Sequence, residues 1–71
     1  MKRREQSRYP RYASIRDSQG LRDYDVAQAS GVPASTISDW KRGLSQPTVE
    51  KLIKIARVLG VTVEELVGDV E

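Results

Sequence analysis

Residues 23–43, DYDVAQASGVPASTISDWKRG, predict two short helices joined by a tight turn at Gly31 and Val32. The first helix is expected over about residues 24–30 and the second over about residues 34–42. Gly31 tolerates the positive φ that a tight corner requires, and the small Ala27 lets the second helix cross the first near its backbone. Spacings of three and four residues predict a set of inward-facing side chains: Val26, Ala27 and Ser30 in the first helix, Thr36, Ile37 and Trp40 in the second.

The outward face of the second helix is small and polar. Ser35, Ser38, Asp39 and Arg42 stand at i, i+3, i+4 and i+7, with Ala34 beside them, so they form one solvent stripe. Small and polar groups followed by an arginine suit a helix that enters the major groove of DNA. A solvated face with no partner is the simpler interpretation of the same stripe.

The ordered set Val26-Ala27, Gly31-Val32, Ser35-Thr36-Ile37-Ser38 and Gly43, together with residues on both sides of it, resembles the Cro-type helix-turn-helix of phage repressors and of bacterial regulators of the xenobiotic-response-element type. In that family the first helix reads roughly T-Q-x-x-L-A-x-x-x-G and the second S-x-S-T-I-S-x-x-x-x-G. The resemblance covers residues 12–68 and implies an all-α fold, a compact, lambda-repressor-like bundle of five short helices with a central helix-turn-helix. The matching residues are Val26-Ala27, Gly31-Val32, Ser35-Thr36-Ile37-Ser38 and Gly43 in the motif, Ile15, Arg16, Gly20 and Leu21 before it, and Pro47, Leu52, Ile55-Ala56, Leu59-Gly60-Val61, Leu66 and Gly68 after it.

The resemblance implies roles for individual residues on double-stranded DNA. The positions of Ala34, Ser35 and Asp39 are those most often at base edges in the family, and Ser38 shares their face. A homodimer on palindromic DNA is expected, with half-sites about 34 Å apart. The residues expected to hold phosphates are Arg16, Tyr24, Lys41 and Arg42.

Two positions depart from the family pattern. The family pairs the residue at Arg16 with an acid late in the second motif helix, but Lys41 occupies that position here. Arg16 is therefore expected either to find another acid, Asp17 or Asp39, or to stay free for phosphate. Asp23 stands where the family uses a glutamine to hold a phosphate, which a carboxylate would repel, so Asp23 is expected to be a helix N-cap.

An acid on the outward stripe favours a second hypothesis. Asp39 either accepts a hydrogen bond from a cytosine amino group or pairs with Arg42, three residues on. The following loop, residues 44–47, has none of the lysines that often touch phosphate in the family. These features favour a protein-interaction module on the same scaffold, antitoxin-like or antirepressor-like, with little specific DNA binding.

The last third of the chain predicts two more helices. Thr48 is the expected N-cap of the fourth helix and Gly60 its end, while Thr62 and Glu65 form a capping box for a short fifth helix closed by Gly68. The predicted buried stripe of the fourth helix is Val49, Leu52, Ile53, Ala56 and Leu59. The candidate dimer seam, on the fifth helix and tail, is Val63, Leu66, Val67 and Val70.

Composition excludes several classes of protein. The chain has 71 residues, a net charge of +2, no cysteine and no histidine, so it lacks a thiolate and the commonest metal ligand and general base. We therefore expect no enzyme, cofactor, metal site or small-molecule site. No apolar run approaches the about 18 residues that span a bilayer, so no membrane association is expected, and a cytoplasmic location is.

Charge is unevenly distributed along the chain. Residues 1–11 are basic and are expected to be a flexible arm, residues 12–68 the helix-turn-helix domain, and residues 69–71 an acidic tail. This polarity fits a DNA-facing end and an end held away from phosphate. The leading hypothesis is a sequence-specific, repressor-like DNA-binding transcriptional regulator of a bacterium or phage.

Overall fold

The computed structural model describes residues 8–67. Within that range the chain forms helices and no strand, as expected for the predicted all-α bundle. Within residues 8–67, no helix combines the length and hydropathy of a membrane span. The five helices are α1 (Tyr9–Ser18), α2 (Asp23–Ser30), α3 (Ala34–Lys41), α4 (Val49–Leu59) and α5 (Val63–Val67).

Local capping defines where the helices begin and end. Gly31 ends α2 with a φ of 80°, and its N–H donates to the carbonyl of Ala27 at 3.0 Å; this left-handed conformation is the one glycine adopts without strain. Thr48 Oγ1 accepts from the N–H of Lys51 at the start of α4. Before α5, the N–H of Thr62 donates to Glu65 Oε1 at 2.9 Å, and the N–H of Glu65 donates to Thr62 Oγ1 at 3.0 Å. The predicted capping box is confirmed.

The core lies between α2, α3 and α4, with α1 and α5 closing it. Trp40 of α3 is completely buried, as predicted, and stacks on Tyr12 of α1 with ring centroids 5.0 Å apart. Tyr9 approaches Trp40 edge-on at 5.8 Å. Aromatic pairs at such distances stabilise beyond the area they bury, so α3 is anchored to α1 through its inward face.

Helix α1 begins earlier than the sequence predicted. It starts at Tyr9, whereas the predicted helix starts at Tyr12, and Pro10 occupies its first turn, where no intrahelical donor is lost. Residues 9–11, assigned to the flexible arm, are therefore helical because Tyr9 packs on Tyr12 and Trp40. Residues 1–7, Gly68 and the predicted tail at 69–71 lie outside the described range.

The predicted buried stripe of α4 is partly wrong. Val49 is 68% exposed and Ile53 is 38% exposed, whereas Ile55, absent from that stripe, is completely buried. At about 100° per residue, the side chains of Val49 and Ile53 point roughly 70–110° away from the centre of the buried face. That face is formed by Leu52, Ile55, Ala56 and Leu59.

The candidate dimer seam on α5 is corrected at Leu66. Leu66 is completely buried, and Val63 and Val67 pack against the core, because this short helix closes the bundle against α1 and α4. Val70 lies outside the described residues. Two arginines hold α5 in place, since Arg11 Nε donates to the carbonyl of Glu65 at 2.9 Å and Arg8 Nη1 donates to that of Val67 at 3.3 Å.

Candidate nucleic-acid interface

One face of α3 is open to solvent. Its inward side chains, Ile37 and Trp40, are 1% and 0% exposed, which fixes the rotation of the helix about its axis. The opposite face, which we call the α3 face, consists of Ala34, Ser35, Ser38, Asp39 and Arg42. All of these are exposed except Asp39, which is half-buried.

The first turn of α3 leads directly into that face. Pro33 is the N-cap residue, with φ −58° and ψ 139°, and its carbonyl accepts from the N–H of Thr36 at 3.0 Å. Proline has no N–H, and its fixed φ suits the entry to a helix. The backbone N–H groups of Ala34 and Ser35 have no partner within the helix, since first-turn donors have none.

Asp39 is the acidic residue of the α3 face. Among residues 8–67, its carboxylate forms no ion pair with Arg42, the alternative that the sequence left open. Arg42 caps α3 through its own N–H, which donates to the carbonyl of Ser38 at 3.0 Å. Lys41 and Arg42 therefore present their positive charges at the end of α3, two and three residues from an acid with which neither forms an ion pair in the described range.

Arg16 is held by acids of the protein itself. Its guanidinium forms an ion pair with Asp17 at 2.7 Å and a second with Asp23, and it donates to the Tyr9 hydroxyl at 3.0 Å. Its side chain is only 14% exposed. The sequence named Asp17 as a possible partner, but Asp23 was missed. Arg16 thus joins α1 to α2, which is the first of the two alternatives that the sequence left open; its contact with phosphate stays a prediction.

Asp23 has a different role from the predicted N-cap. It is the first residue of α2, and its carboxylate accepts hydrogen bonds from Tyr9 at 2.7 Å, from Tyr12 at 2.8 Å and from Arg16. The cap is supplied instead by Asp25, whose Oδ2 accepts from the N–H of Arg22 at 2.9 Å. Three donors from α1 therefore converge on one acid of α2.

These contacts shift the protonation of the groups involved. Burial by itself would raise the pKa of Asp23, but the hydrogen bonds from Tyr9, Tyr12 and Arg16 outweigh it and leave that pKa lowered. Burial, followed by the hydrogen bond to Asp23, raises the pKa of Tyr12 well above its ordinary value. The hydrogen bond to Asp17 is the main cause of the raised pKa of Arg16. The cluster is thus an ionised acid and cation with neutral tyrosines.

The start of α2 presents a second polar surface. Tyr24, an expected phosphate contact, is 60% exposed, and the Arg22 guanidinium lies over its ring at 5.8 Å. Arg22 is also bound by both carboxylate oxygens of Asp25, at 3.0 and 2.9 Å. These bonds lower the pKa of Asp25 to about 2. Tyr24 keeps its hydroxyl on an open surface, whereas the charge of Arg22 is largely balanced.

The loop after α3 adds apolar surface. Leu44 is 63% exposed, and its N–H donates to the carbonyl of Asp39 at 2.9 Å, which ties the loop to α3. An exposed leucine provides no charge for phosphate. The cations nearest to it in the chain are Lys41 and Arg42.

Comparison with known proteins gives consistent matches. Residues 13–66 match the family model described as helix-turn-helix. The HTH-type transcriptional regulator DdrOP3 of Deinococcus deserti is 36% identical over 61 residues, which cover 86% of this chain and 47% of that protein. The uncharacterized HTH-type transcriptional regulator y4dJ of Sinorhizobium fredii is 38% identical over 56 residues, 79% of this chain and 73% of that protein.

A solved structure shares the fold. The crystal structure of a transcriptional regulator from Listeria innocua superposes with a TM-score of 0.73 at 26% identity, and the match covers 90% of this chain and 60% of that one. The chain spans about half the length of DdrOP3, at 47%.

Proposed function

The chain belongs to the Cro-type helix-turn-helix family, and on this premise we propose that it is a DNA-binding transcriptional regulator that inserts the α3 face into the major groove. The observation that carries this proposal is the rotation of α3. With Ile37 and Trp40 buried at 1% and 0% exposure, the small and polar side chains point outward together. A helix so placed meets the dimensions of the major groove, which admits one α-helix.

The proposed contacts are of two kinds: contacts to base edges, which recognise the DNA sequence, and contacts to phosphates, which position the protein on the duplex. Ala34 would meet a thymine methyl group, Ser35 and Ser38 would donate or accept at base edges, and Asp39 would accept from a cytosine amino group. Contacts to phosphate would position the duplex without reading its sequence. They are assigned to Lys41 and Arg42 at the end of α3 and to the Tyr24 hydroxyl. The predicted contact of Arg16 is ranked below these because its charge is already paired.

Two copies are expected to act together on DNA. A single domain with few phosphate contacts binds weakly, and a twofold dimer on a palindrome with half-sites about 34 Å apart doubles the contacts. Occupying a promoter in this way is repressor-like. The relatives compared above come from bacteria. We therefore expect the protein to act in the bacterial cytoplasm, whether a bacterium or a phage encodes it.

Selection of genomic fragments by the purified chain, followed by titration over a salt series, tests the proposal. A specific binder that makes roughly 4–6 phosphate contacts should give a log–log salt slope of about −4 to −5 and enrich one sequence motif. Ser35→Ala and Ser38→Ala should change the ranking of enriched sequences, with Ser45→Ala, in the loop after α3, as the matched control. A slope near zero, or enrichment without any common motif, would contradict sequence-specific binding.

A protein-interaction module is the second candidate function. It is favoured by the unpaired charge of Asp39 on the α3 face and by Leu44, which is 63% exposed where the family often has phosphate-binding lysines. In this case Leu44→Ser would abolish capture of a protein partner and leave DNA binding unaltered. Specific DNA enrichment that tolerates Leu44→Ser would favour the regulator instead.

A further inference from the structure

Two apolar side chains of α4 face solvent and lie next to each other. Val49 is 68% exposed and Ile53 is 38% exposed, and a spacing of four residues places them in one row on the helix surface. Both lie outside the buried face that α4 turns toward the core. The row is therefore apolar surface that the fold of the monomer does not use.

Opposite charges lie at the two ends of this row. Arg57 continues it by one turn beyond Ile53, and Glu50 lies beside Val49 in the first turn of α4. Both are exposed, and within residues 8–67 neither forms a salt bridge. We call these four residues, Val49, Glu50, Ile53 and Arg57, the α4 seam.

The seam is complementary to itself in the antiparallel direction. At 1.5 Å rise per residue, Glu50 lies about 4.5 Å from Ile53 toward the start of the helix and Arg57 about 6 Å toward its end. A second helix turned by a twofold axis at Ile53 therefore brings the Glu50 of each copy close to the Arg57 of the other. The two Ile53 side chains meet at the axis, and each Val49 meets the aliphatic part of an Arg57 side chain.

We propose that the α4 seam binds a second copy of this chain, with the two α4 helices antiparallel. Such an isologous contact uses the same patch on both copies. The α4 seam is the surface through which the two DNA-bound copies proposed above would meet. Its role on DNA rests on the proposed function, whereas self-association does not. Because the seam is small, the association is weak without DNA to hold the two copies together.

The charge pattern favours a second copy over a different protein. A seam of one sign would require a partner of the opposite sign, whereas this one carries an anion and a cation at matching distances from a central isoleucine. Lys54 lies outside the seam because, at about 100° per residue, it points roughly 100° away from Ile53, whereas Arg57 points only roughly 40° away. Beyond the seam, Lys54 and Arg57 both border a shallow pocket beside Ala29 and Ser30 of α2. Leu66 of α5, an alternative seam residue, is buried.

Sedimentation velocity of the full chain over a concentration series, without DNA, tests the proposal. Glu50→Arg opposes two cations across each half of the contact, and Arg57→Glu opposes two anions. Each variant alone is expected to weaken self-association by roughly tenfold or more, because like charges in contact repel. An equimolar mixture of the two variants is expected to regain the association of the original chain, since every cation then faces an anion.

A second variant tests the apolar part of the seam. Val49→Ser is expected to weaken association by roughly fivefold to tenfold, and Ser45→Ala, at an exposed residue outside α4, should leave it unchanged. Circular dichroism of each variant verifies that the helices persist.

Three results would overturn the inference: a monomer at every concentration, single variants that associate as before, or a mixture that fails to recover. Since no DNA is present, these results are distinguishable from failure of the proposed function. That function would be contradicted by intact self-association without specific DNA enrichment.

Discussion

The hydroxyl of Tyr12 donates a 2.8 Å hydrogen bond to Oδ1 of Asp23, joining the buried face of α1 to the first residue of α2. The same carboxylate accepts from Tyr9 and Arg16, which also lie on α1. Because a single acid collects three donors, it sets how α1 meets the helix-turn-helix. The stacking of Tyr12 on Trp40 extends this link to α3, so the α3 face is held in place from behind.

Replacing Asp23 should destabilise the protein far more than replacing Asp17. Asp23→Asn removes one of the two acids that pair with Arg16, whose side chain is only 14% exposed, and also removes the charged acceptor of Tyr9 and Tyr12. We therefore expect a loss of about 2–3 kcal/mol in the free energy of unfolding. Asp17 also pairs with Arg16 but is 69% exposed, so Asp17→Asn should cost less than about 1 kcal/mol. Urea unfolding followed by fluorescence of the single Trp40 measures both. Equal losses would show that the cluster does not depend on Asp23.

Asp23 should also make stability depend on pH at the acid end. Its pKa in the folded protein is lowered from the ordinary value of 3.8, so the unfolded chain takes up the proton first as the pH falls. The stabilisation is therefore present above that ordinary value and is lost as the pH falls toward the lowered pKa. Urea midpoints of the original chain and of Asp23→Asn should differ at neutral pH and converge in acid. A constant difference down to the lowest pH would contradict this linkage.

The buried Tyr12 and the exposed Tyr24 should respond differently to loss of the hydroxyl. Tyr12→Phe removes a buried hydrogen bond to Asp23 and should lower stability by about 1–2 kcal/mol. Tyr24→Phe, at a residue 60% exposed, should leave thermal unfolding unchanged and instead weaken DNA binding slightly if its hydroxyl contacts phosphate. Thermal melts by circular dichroism separate the two variants, and a destabilised Tyr24→Phe would mean that its hydroxyl has a structural partner.

Substitutions at Gly31, in the turn of the helix-turn-helix, should destabilise the protein through backbone strain rather than through steric clash of the new side chain. Gly31 has a φ of 80°, and a Cβ added there would meet nothing within 4 Å. Gly31→Ala should therefore cost about 1 kcal/mol through the left-handed conformation alone. Gly31→Asn should cost less, because asparagine tolerates that conformation. If both variants unfold at the same urea concentration, the conformational explanation is wrong.

Arg42 and Asp39 should affect DNA binding in different ways. Arg42→Ala should weaken binding to every enriched sequence similarly and reduce the size of the salt slope by about 0.9, the effect of one phosphate contact. Asp39→Ala should change the ranking among sequences. Lys54→Ala, an exposed cation on α4, is the matched control for charge and should do neither. Uniform tightening by Asp39→Ala would show that Asp39 repels phosphate and reads no base.

The local features of the fold could be predicted from the sequence because each depends only on residues that are close together in the chain. The positive φ of Gly31, the cap at Thr48 and the reciprocal bonds of Thr62 and Glu65 each involve residues within four positions of one another. Trp40 was also predicted correctly, since its spacing from Ile37 fixes the face they share. The buried face of α4 was predicted partly wrongly, because Val49 and Ile53 fit a helical spacing as well as the residues that are buried do.

The partner of Arg16 could not be found by the same reasoning. Asp17 is its neighbour in sequence, whereas Asp23 comes within hydrogen-bond distance only when α1 packs across the start of α2. Nor does any local signal connect Tyr12 to Asp23, eleven residues apart on different helices. The hydrogen bonds from Arg8 and Arg11 to carbonyls of α5 likewise form only because segments distant in the sequence pack together.

The amino-acid sequence by itself determined the number and order of the helices, the corner at Gly31 and the polar character of the α3 face, because hydrophobic spacing and capping are local. Only the tertiary structure decided which charges remain available. Arg16 pairs with Asp23 as well as Asp17, Leu66 is buried under α1 and α4, and the α4 seam is left exposed. Burial and ion pairing depend on which surfaces the packed helices bring together.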